Sequence, residues 1–256
     1  MPLVSRLEAT LNAQRPSLFA ISLPLCYVWY GTVSGGLEAT AGQRMPVKVL
    51  HIRLLGDFSL AYGDQPVRTV NTARLQSLLA YLVLHRDAPQ PRYHLAFQLW
   101  PASTEPQALT NLRKLFHELR QALPEADCFL CADTHTLQWR PDAPFTLDVA
   151  DFENGVAQAA SVQALRDAVD LYRDDLLPSC YDDWILPERE RLRQAYAEAI
   201  ERLVALLEDE HDYRAALGCA ERLLRLDPLR EASYRALIRL HAMNGDRTGV
   251  AQVYRT

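Results

Sequence analysis

The sequence predicts a mainly α-helical protein with small β-sheets, built as two dissimilar modules. Three observations carry that expectation. Residues 47–67 are short β-rich runs broken by Gly56-Asp57 and Gly63-Asp64, the pattern of a small antiparallel sheet. Residues 72–123 repeat leucines at spacings of three and four, the period of helices with one buried face. Beyond Phe145 the texture becomes nearly continuous helix.

Composition bounds the function. The 256 residues are 49% hydrophobic and 23% charged, ordinary globular values in a chain long enough for two domains. A net charge of −5 argues against a uniformly basic nucleic-acid binder, but the charge is unevenly spread. Residues 46–141 carry 10 Lys and Arg against 8 Asp and Glu, whereas residues 142–256 carry 14 against 22. A mildly basic module joined to an acidic one suits a DNA reader with a protein-interaction domain.

Five cysteines, Cys26, Cys128, Cys131, Cys180 and Cys219, are scattered and odd in number. They are no disulfide framework, so a reducing cytoplasm is the expected location. Cys128 and Cys131 form a CxxC with no second ligand pair, and a strand there sends the two thiols to opposite faces. Neither a metal nor another cofactor is expected.

Residues 17–33 are apolar, yet short for a membrane span and interrupted by Pro24. No small-residue cleavage site closes the run. Residues 1–44 are therefore expected to be an N-terminal extension outside the folded module, with no membrane contact. Met45 directly precedes the patterned region.

Within residues 45–141, Thr72 reads as the N-cap of a helix over 73–86. A turn follows, then a short helix over 92–99 stopped by Pro101. Ser103 or Thr104 caps a third helix over 104–122, with Glu105 and Pro106 in its first turn. After Pro124, CFLCAD and TLQWR are two strands around a turn near Thr134-His135. Sheet, three helices and hairpin make a winged helix-turn-helix domain, the third helix being the reader and the hairpin the wing.

That third helix has two faces. Leu109, Leu112, Leu115, Phe116, Leu119 and Leu123 form a stripe for burial, and Trp100 also belongs to the core. The opposite arc offers Thr110, Arg113, Lys114 and His117 to a major groove, with Arg120 and Gln121 at its edge. Arg74, near the start of the first helix, and Arg92, Tyr93 and His94, at the start of the second, suit phosphate contacts. His135 and Arg140 on the wing suit the neighbouring minor groove or backbone.

The second module, residues 146–256, repeats with an offset of 34. Asp212 meets Asp246, Ala216 meets Val250, Ala220 meets Tyr254 and Leu203 meets Leu237, the cadence of α-helical tetratricopeptide-like hairpins. The chain stops at Thr256 inside a helix, so the array reads as truncated. The acidic clusters Asp174-Asp175, Asp182-Asp183 and Glu208-Asp209-Glu210 are expected to be solvated helix ends. No GxSxG, HExxH or paired-carboxylate pocket can be assembled, so no enzyme is expected.

The runs HIRLLGDFSL, ARLQSLLAYLVLHR, LAFQLWP, NLRKLFHELRQAL, LDVADFE, ALRDAVDLYRDDLLP and ERERLRQAYAEAIERL, in this order, resemble the SARP family of bacterial transcriptional activators. The resemblance runs from about Val47 to the end. It implies a DNA-binding domain like the effector domain of response regulators, used without a receiver domain, followed by a bacterial transcriptional activator domain. Family targets are often genes of secondary metabolism. The third helix carries less arginine than is common in the family, and no GxxxxGK[ST] phosphate loop is present. The expectation is a sequence-specific activator that reads double-stranded DNA with helix 104–122. Its helical repeats would serve homodimerisation, or contact with RNA polymerase or another protein. The rival reading is a tetratricopeptide-like scaffold with little or no DNA binding, which leaves residues 47–141 unexplained.

Overall fold

A computed structural model of the chain describes residues 48–255. The expectations for the N-terminal extension and its apolar run lie outside these residues. Among the described residues no helix is long and apolar enough to cross a membrane.

The first module opens with β1 (Leu50–Arg53) and β2 (Ser59–Tyr62), paired antiparallel from Leu50↔Tyr62 to Arg53↔Ser59, with β3 (Gln65–Pro66) on the outer side of β2. Gly56 in the β1–β2 connection has φ +90°, a conformation that penalises any side chain. The first helix, α1 (Ala73–Leu84), is capped as expected: the Thr72 hydroxyl accepts from the Leu75 amide at 3.3 Å. It ends at Leu84, two residues before the predicted limit, and His85 closes it.

Next come β4 (Gln90–Pro91), α2 (Arg92–Leu99) and α3 (Glu105–Ala122). Thr104 occupies the N-cap of α3, but its side chain makes no capping bond. Glu105 and Pro106 in the first turn start this helix instead. After it, α4 (Ala126–Phe129) precedes β5 (Leu130–Ala132) and β6 (Thr136–Trp139). Two local expectations are corrected here. The Gln90-Pro91 turn is a strand that makes the wing three-stranded, in the order β4-β6-β5. Cys128 lies in α4 and only Cys131 lies in a strand, with both thiols exposed.

The seam between the modules is a strand, not a linker. β7 (Phe145–Leu147) pairs parallel with β1 and completes a sheet of order β3-β2-β1-β7. Asp148, the first residue of α5 (Asp148–Gln158), then turns its carboxylate back onto the end of β1. It accepts the Leu54 and Leu55 amides and its neighbour Val149's amide, each at 2.9 Å. Burial pushes the Asp148 carboxyl pKa up, against the downward pull of those three amides.

The second module continues with α6 (Val162–Val169), where the sequence's nearly continuous helix is interrupted. Residues 170–184 fold back on the first module. The Gly56 amide donates to the Asp175 carbonyl at 3.0 Å and the Leu177 amide to the Leu54 carbonyl at 2.9 Å. Leu177 sits at φ +44°, an uncommon conformation for a branched side chain. Arg189 on α7 (Ile185–Asp209) holds this loop, donating to the carbonyls of Leu176 at 2.8 Å, Cys180 at 2.7 Å and also Leu177.

The helices α8 (Tyr213–Leu226), α9 (Glu231–Met243) and α10 (Arg247–Arg255) each pack on the preceding one. The offset of 34 is visible in their capping. Asp212 accepts from the Ala215 amide at 3.1 Å, and its counterpart Asp246 from the Gly249 amide at 2.9 Å. Leu203 and Leu237 are both buried. Arginines tie helices across the stack. Arg202 donates to the carbonyls of Val156 and Ala159, Arg230 pairs with Glu201 at 2.7 Å, and Arg191 pairs with Glu153.

The acidic clusters differ from expectation, since one member of each is tied down. Asp175 holds Arg193, Asp182 holds Arg74, and Glu208 holds Arg239 at 2.8 Å. Their neighbours Asp174, Asp183, Asp209 and Glu210 are exposed. A single apolar core runs through both modules, from Leu50 and Ile52 through Phe152 and Trp184 to Leu240.

Removing the Asp148 carboxylate leaves the amides of Leu54 and Leu55 without an acceptor in a partly buried seam. Asp148→Ala is expected to cost about 2–3 kcal/mol. Urea unfolding monitored by tryptophan fluorescence checks this, and an unchanged midpoint would contradict it.

Candidate nucleic-acid interface

The two faces of α3 fall where the sequence placed them. Ala108, Leu112, Leu115, Phe116 and Leu119 are buried, and Leu109 is half-buried. Thr110, Arg113, Lys114, His117, Arg120 and Gln121 are exposed. Their availability differs. The Thr110 hydroxyl donates back to the Pro106 carbonyl at 2.8 Å, and His117 and Gln121 meet through their Nε2 atoms at 3.0 Å. Arg120 is paired with Asp127. Arg113 and Lys114 have no hydrogen-bond or ion-pair partner among the described residues.

The geometry brings together a subset of the predicted residues. A cavity of about 240 Å³ at the meeting of α2, α3 and the wing turn is lined by Arg92, Tyr93, Glu105, Arg113, Thr134 and His135. Arg92 is its half-buried centre. Its Nε donates to the Asp133 carbonyl at 3.0 Å, its backbone amide to the His135 carbonyl at 2.8 Å, and its guanidinium lies 5.9 Å from the centre of the Phe116 ring. Burial first, and the neighbouring charge of Arg113 after it, lower the Arg92 pKa against the opposing pull of Asp133. The site sets the guanidiniums of Arg92 and Arg113 beside the carboxylates of Glu105 and Asp133.

The remaining predicted residues stand apart from that cavity. His94 is exposed on α2, within 3.4 Å of Gln98. Arg140 follows the last residue of β6, away from the turn that carries His135, and its side chain has no partner among the described residues. Arg74 is not free for phosphate. Its guanidinium holds Asp182 at 2.6 Å and lies 5.6 Å from the centre of the half-buried Trp100 ring. Asp182 also accepts from the buried Ser77 hydroxyl at 2.5 Å, and Ser77 in turn accepts from the Trp184 indole at 3.0 Å. Arg74 therefore belongs to the contact between modules.

Asp133 was missed by the sequence reading, although Asp-Thr-His-Thr carries a turn signature. Its carboxylate accepts from the amides of His135 at 2.6 Å and Thr136 at 2.7 Å and from the Thr136 hydroxyl at 2.7 Å. These bonds lower its pKa to about 2. Gln107 and Asn111, joined at 2.8 Å on the first half of α3, are further polar groups on that helix that were not singled out. Among the described residues no group of His, Cys, Asp and Glu could hold a metal ion.

Residues 147–256 match the family model of the bacterial transcriptional activator domain. Among solved structures, the chain is similar to Mycobacterium tuberculosis EmbR in complex with a low-affinity phosphopeptide, with a TM-score of 0.66 and 22% identity. The match covers 81% of this chain and 58% of the EmbR chain. At that identity the likeness establishes the fold, and the phosphopeptide is a property of EmbR. No curated protein matches the chain.

Two outcomes follow from this geometry. The hydrogen bonds of Asp133 form above the unfolded carboxyl pKa and are lost as pH falls through about 2. The His135 and Thr136 amide resonances are therefore expected to titrate with that low midpoint, and a midpoint near the ordinary aspartate value of about 3.9 would contradict the assignment. Arg74→Ala is expected to lower stability by about 1 kcal/mol, discounted for the partial exposure of the pair. Thermal unfolding checks this, and an unchanged midpoint would contradict it.

Proposed function

We propose that the chain is a sequence-specific DNA-binding transcriptional regulator, acting as an activator, that lays α3 in the major groove. The observation that carries this reading is the pair Arg113 and Lys114: exposed, unpartnered and set on a helix whose back is fixed in the core. Arg113 also lines the cavity that joins α3 to α2 and the wing. An α-helix fits the major groove, where an arginine fork or a lysine reads guanine acceptors. Thr110, His117, Gln121, Gln107 and Asn111 extend the hydrogen-bonding surface along the same helix. Arg92, Tyr93, His94 and His135 hold backbone phosphates and set the register, with Arg140 contacting the duplex farther along the wing. Arg120 serves at the edge, through its bond to Asp127.

The helical module supplies the protein contact, as a dimer interface or a surface for RNA polymerase. Its acidic balance suits a basic protein partner better than DNA.

Selection from random genomic fragments with the whole chain tests the reading. The parent is expected to enrich one sequence, with affinity falling steeply as salt rises. Arg113→Ala/Lys114→Ala is expected to lose on the order of tenfold or more in affinity for that sequence and to relax its preference. Equal enrichment by both proteins, or by neither, would leave the scaffold reading in its place.

A further inference from the structure

A second group of cations lies in the helical module, beside the seam. A cleft of about 430 Å³ is formed by the loop after α6 together with α7 and α8, and Tyr172, Tyr196, Arg173, Asp174, Arg222 and Arg225 line it. Its floor is rigid. The rings of Tyr172 and Tyr196 stack with centroids 4.2 Å apart and planes 18° apart, and both are buried. Tyr172 donates to Asp175 at 3.2 Å, and the Tyr196 hydroxyl accepts from Arg222 at 3.0 Å.

The charges around this floor do not cancel. Asp170 is taken by Arg222 at 2.8 Å, and Asp175 is taken by Arg193. That leaves Arg173 and Arg225, both exposed and without a partner among the described residues, against one carboxylate, Asp174. Asp174 accepts only the Asp175 backbone amide, at 2.8 Å. Two unspent guanidiniums in one cleft suit an anion that accepts from both, and phosphate oxygens match their fork geometry.

We propose that this cleft binds a small phosphate-bearing anion between Arg173 and Arg225. The ligand would rest on the loop that folds back on the first module. Arg173 and Asp174 pack against Gly56, whose position for a side chain lies 3.7 and 3.6 Å from their Cβ atoms. The inference stands independently of the DNA-reading role of α3.

The test is NMR titration of the whole chain with inorganic phosphate and with pyrophosphate, against chloride at equal ionic strength. Saturable one-site shifts at the Arg173 and Arg225 side-chain Nε–H groups are expected for the phosphates and not for chloride. Arg173→Ala/Arg225→Ala should weaken binding about tenfold or more, and Asp174→Asn should tighten it several-fold. Arg247→Ala/Arg255→Ala, a distant pair on α10 that is also unpartnered, should leave binding unchanged. If the first double variant unfolds, Arg225→Gln, exposed on the last turn of α8, gives the same readout. An equal response to chloride, or binding that survives loss of Arg173 and Arg225, or a matching loss in the α10 variant, would overturn the proposal.

Discussion

The structure depends on what happens to the backbone where β1 ends. A strand that stops leaves amides and carbonyls to be satisfied, and here the second module satisfies them. The Asp148 carboxylate takes the amides of Leu54 and Leu55, and the Leu177 amide takes the Leu54 carbonyl. With β7 paired alongside β1, the sheet of the winged domain is finished by residues that lead directly into the helical array. The two modules therefore share hydrogen bonds that neither can lose without a cost. The Arg74–Asp182–Ser77–Trp184 chain adds a second point of attachment, on α1. The winged domain is thus joined to the helical module through a paired strand and not through a free linker.

Arginine is used differently on the two sides of the seam. In the helical module many guanidiniums are committed to carbonyls of loops or helix ends or to carboxylates of another element, as with Arg189, Arg202 and Arg222. Each such bond is modest on its own, but one fork that takes two or three carbonyls fixes the loop or helix end presenting them. On α3, Arg113 and Lys114 have no such duty among the described residues, whereas Arg120 is paired with Asp127. Arg92 lies between these cases, buried enough to organise the wing yet open to the cavity it shares with Arg113.

Much of the fold was legible because periodicity reports burial. The leucine spacing of α1 and α3 directly signals which face turns inward, whereas the 34-residue offset does so only in part: Leu203 and Leu237 are both buried, but Ala220 is buried and Tyr254 is exposed. The elements missed are those made by pairing over long sequence separations. Gln90-Pro91 and Phe145–Leu147 are too short to carry a pattern, and become strands only because β6 and β1 lie beside them. Residues 170–177 have the apolar spacing of a helix, but backbone bonds to β1 hold them in a loop. The outward arc of α3 could be read from the sequence. That Arg74 and Asp182 would find each other across 108 positions could not. Nor do helical angles show that Arg120 is paired while Arg113 is not.

The unpartnered state of Lys114 has a chemical consequence. The chain contains two lysines, Lys48 and Lys114, among its 27 cationic side chains. Lys48 lies 5.5 Å from the centre of the Tyr62 ring on the small sheet, whereas Lys114 projects from the outer face of α3. Because guanidiniums do not acylate under conditions that modify amines, an amine-selective reagent meets almost no competing side chains in this protein. A label placed that way reports directly on α3, and the scarcity of lysine turns an ordinary surface residue into a nearly unique handle.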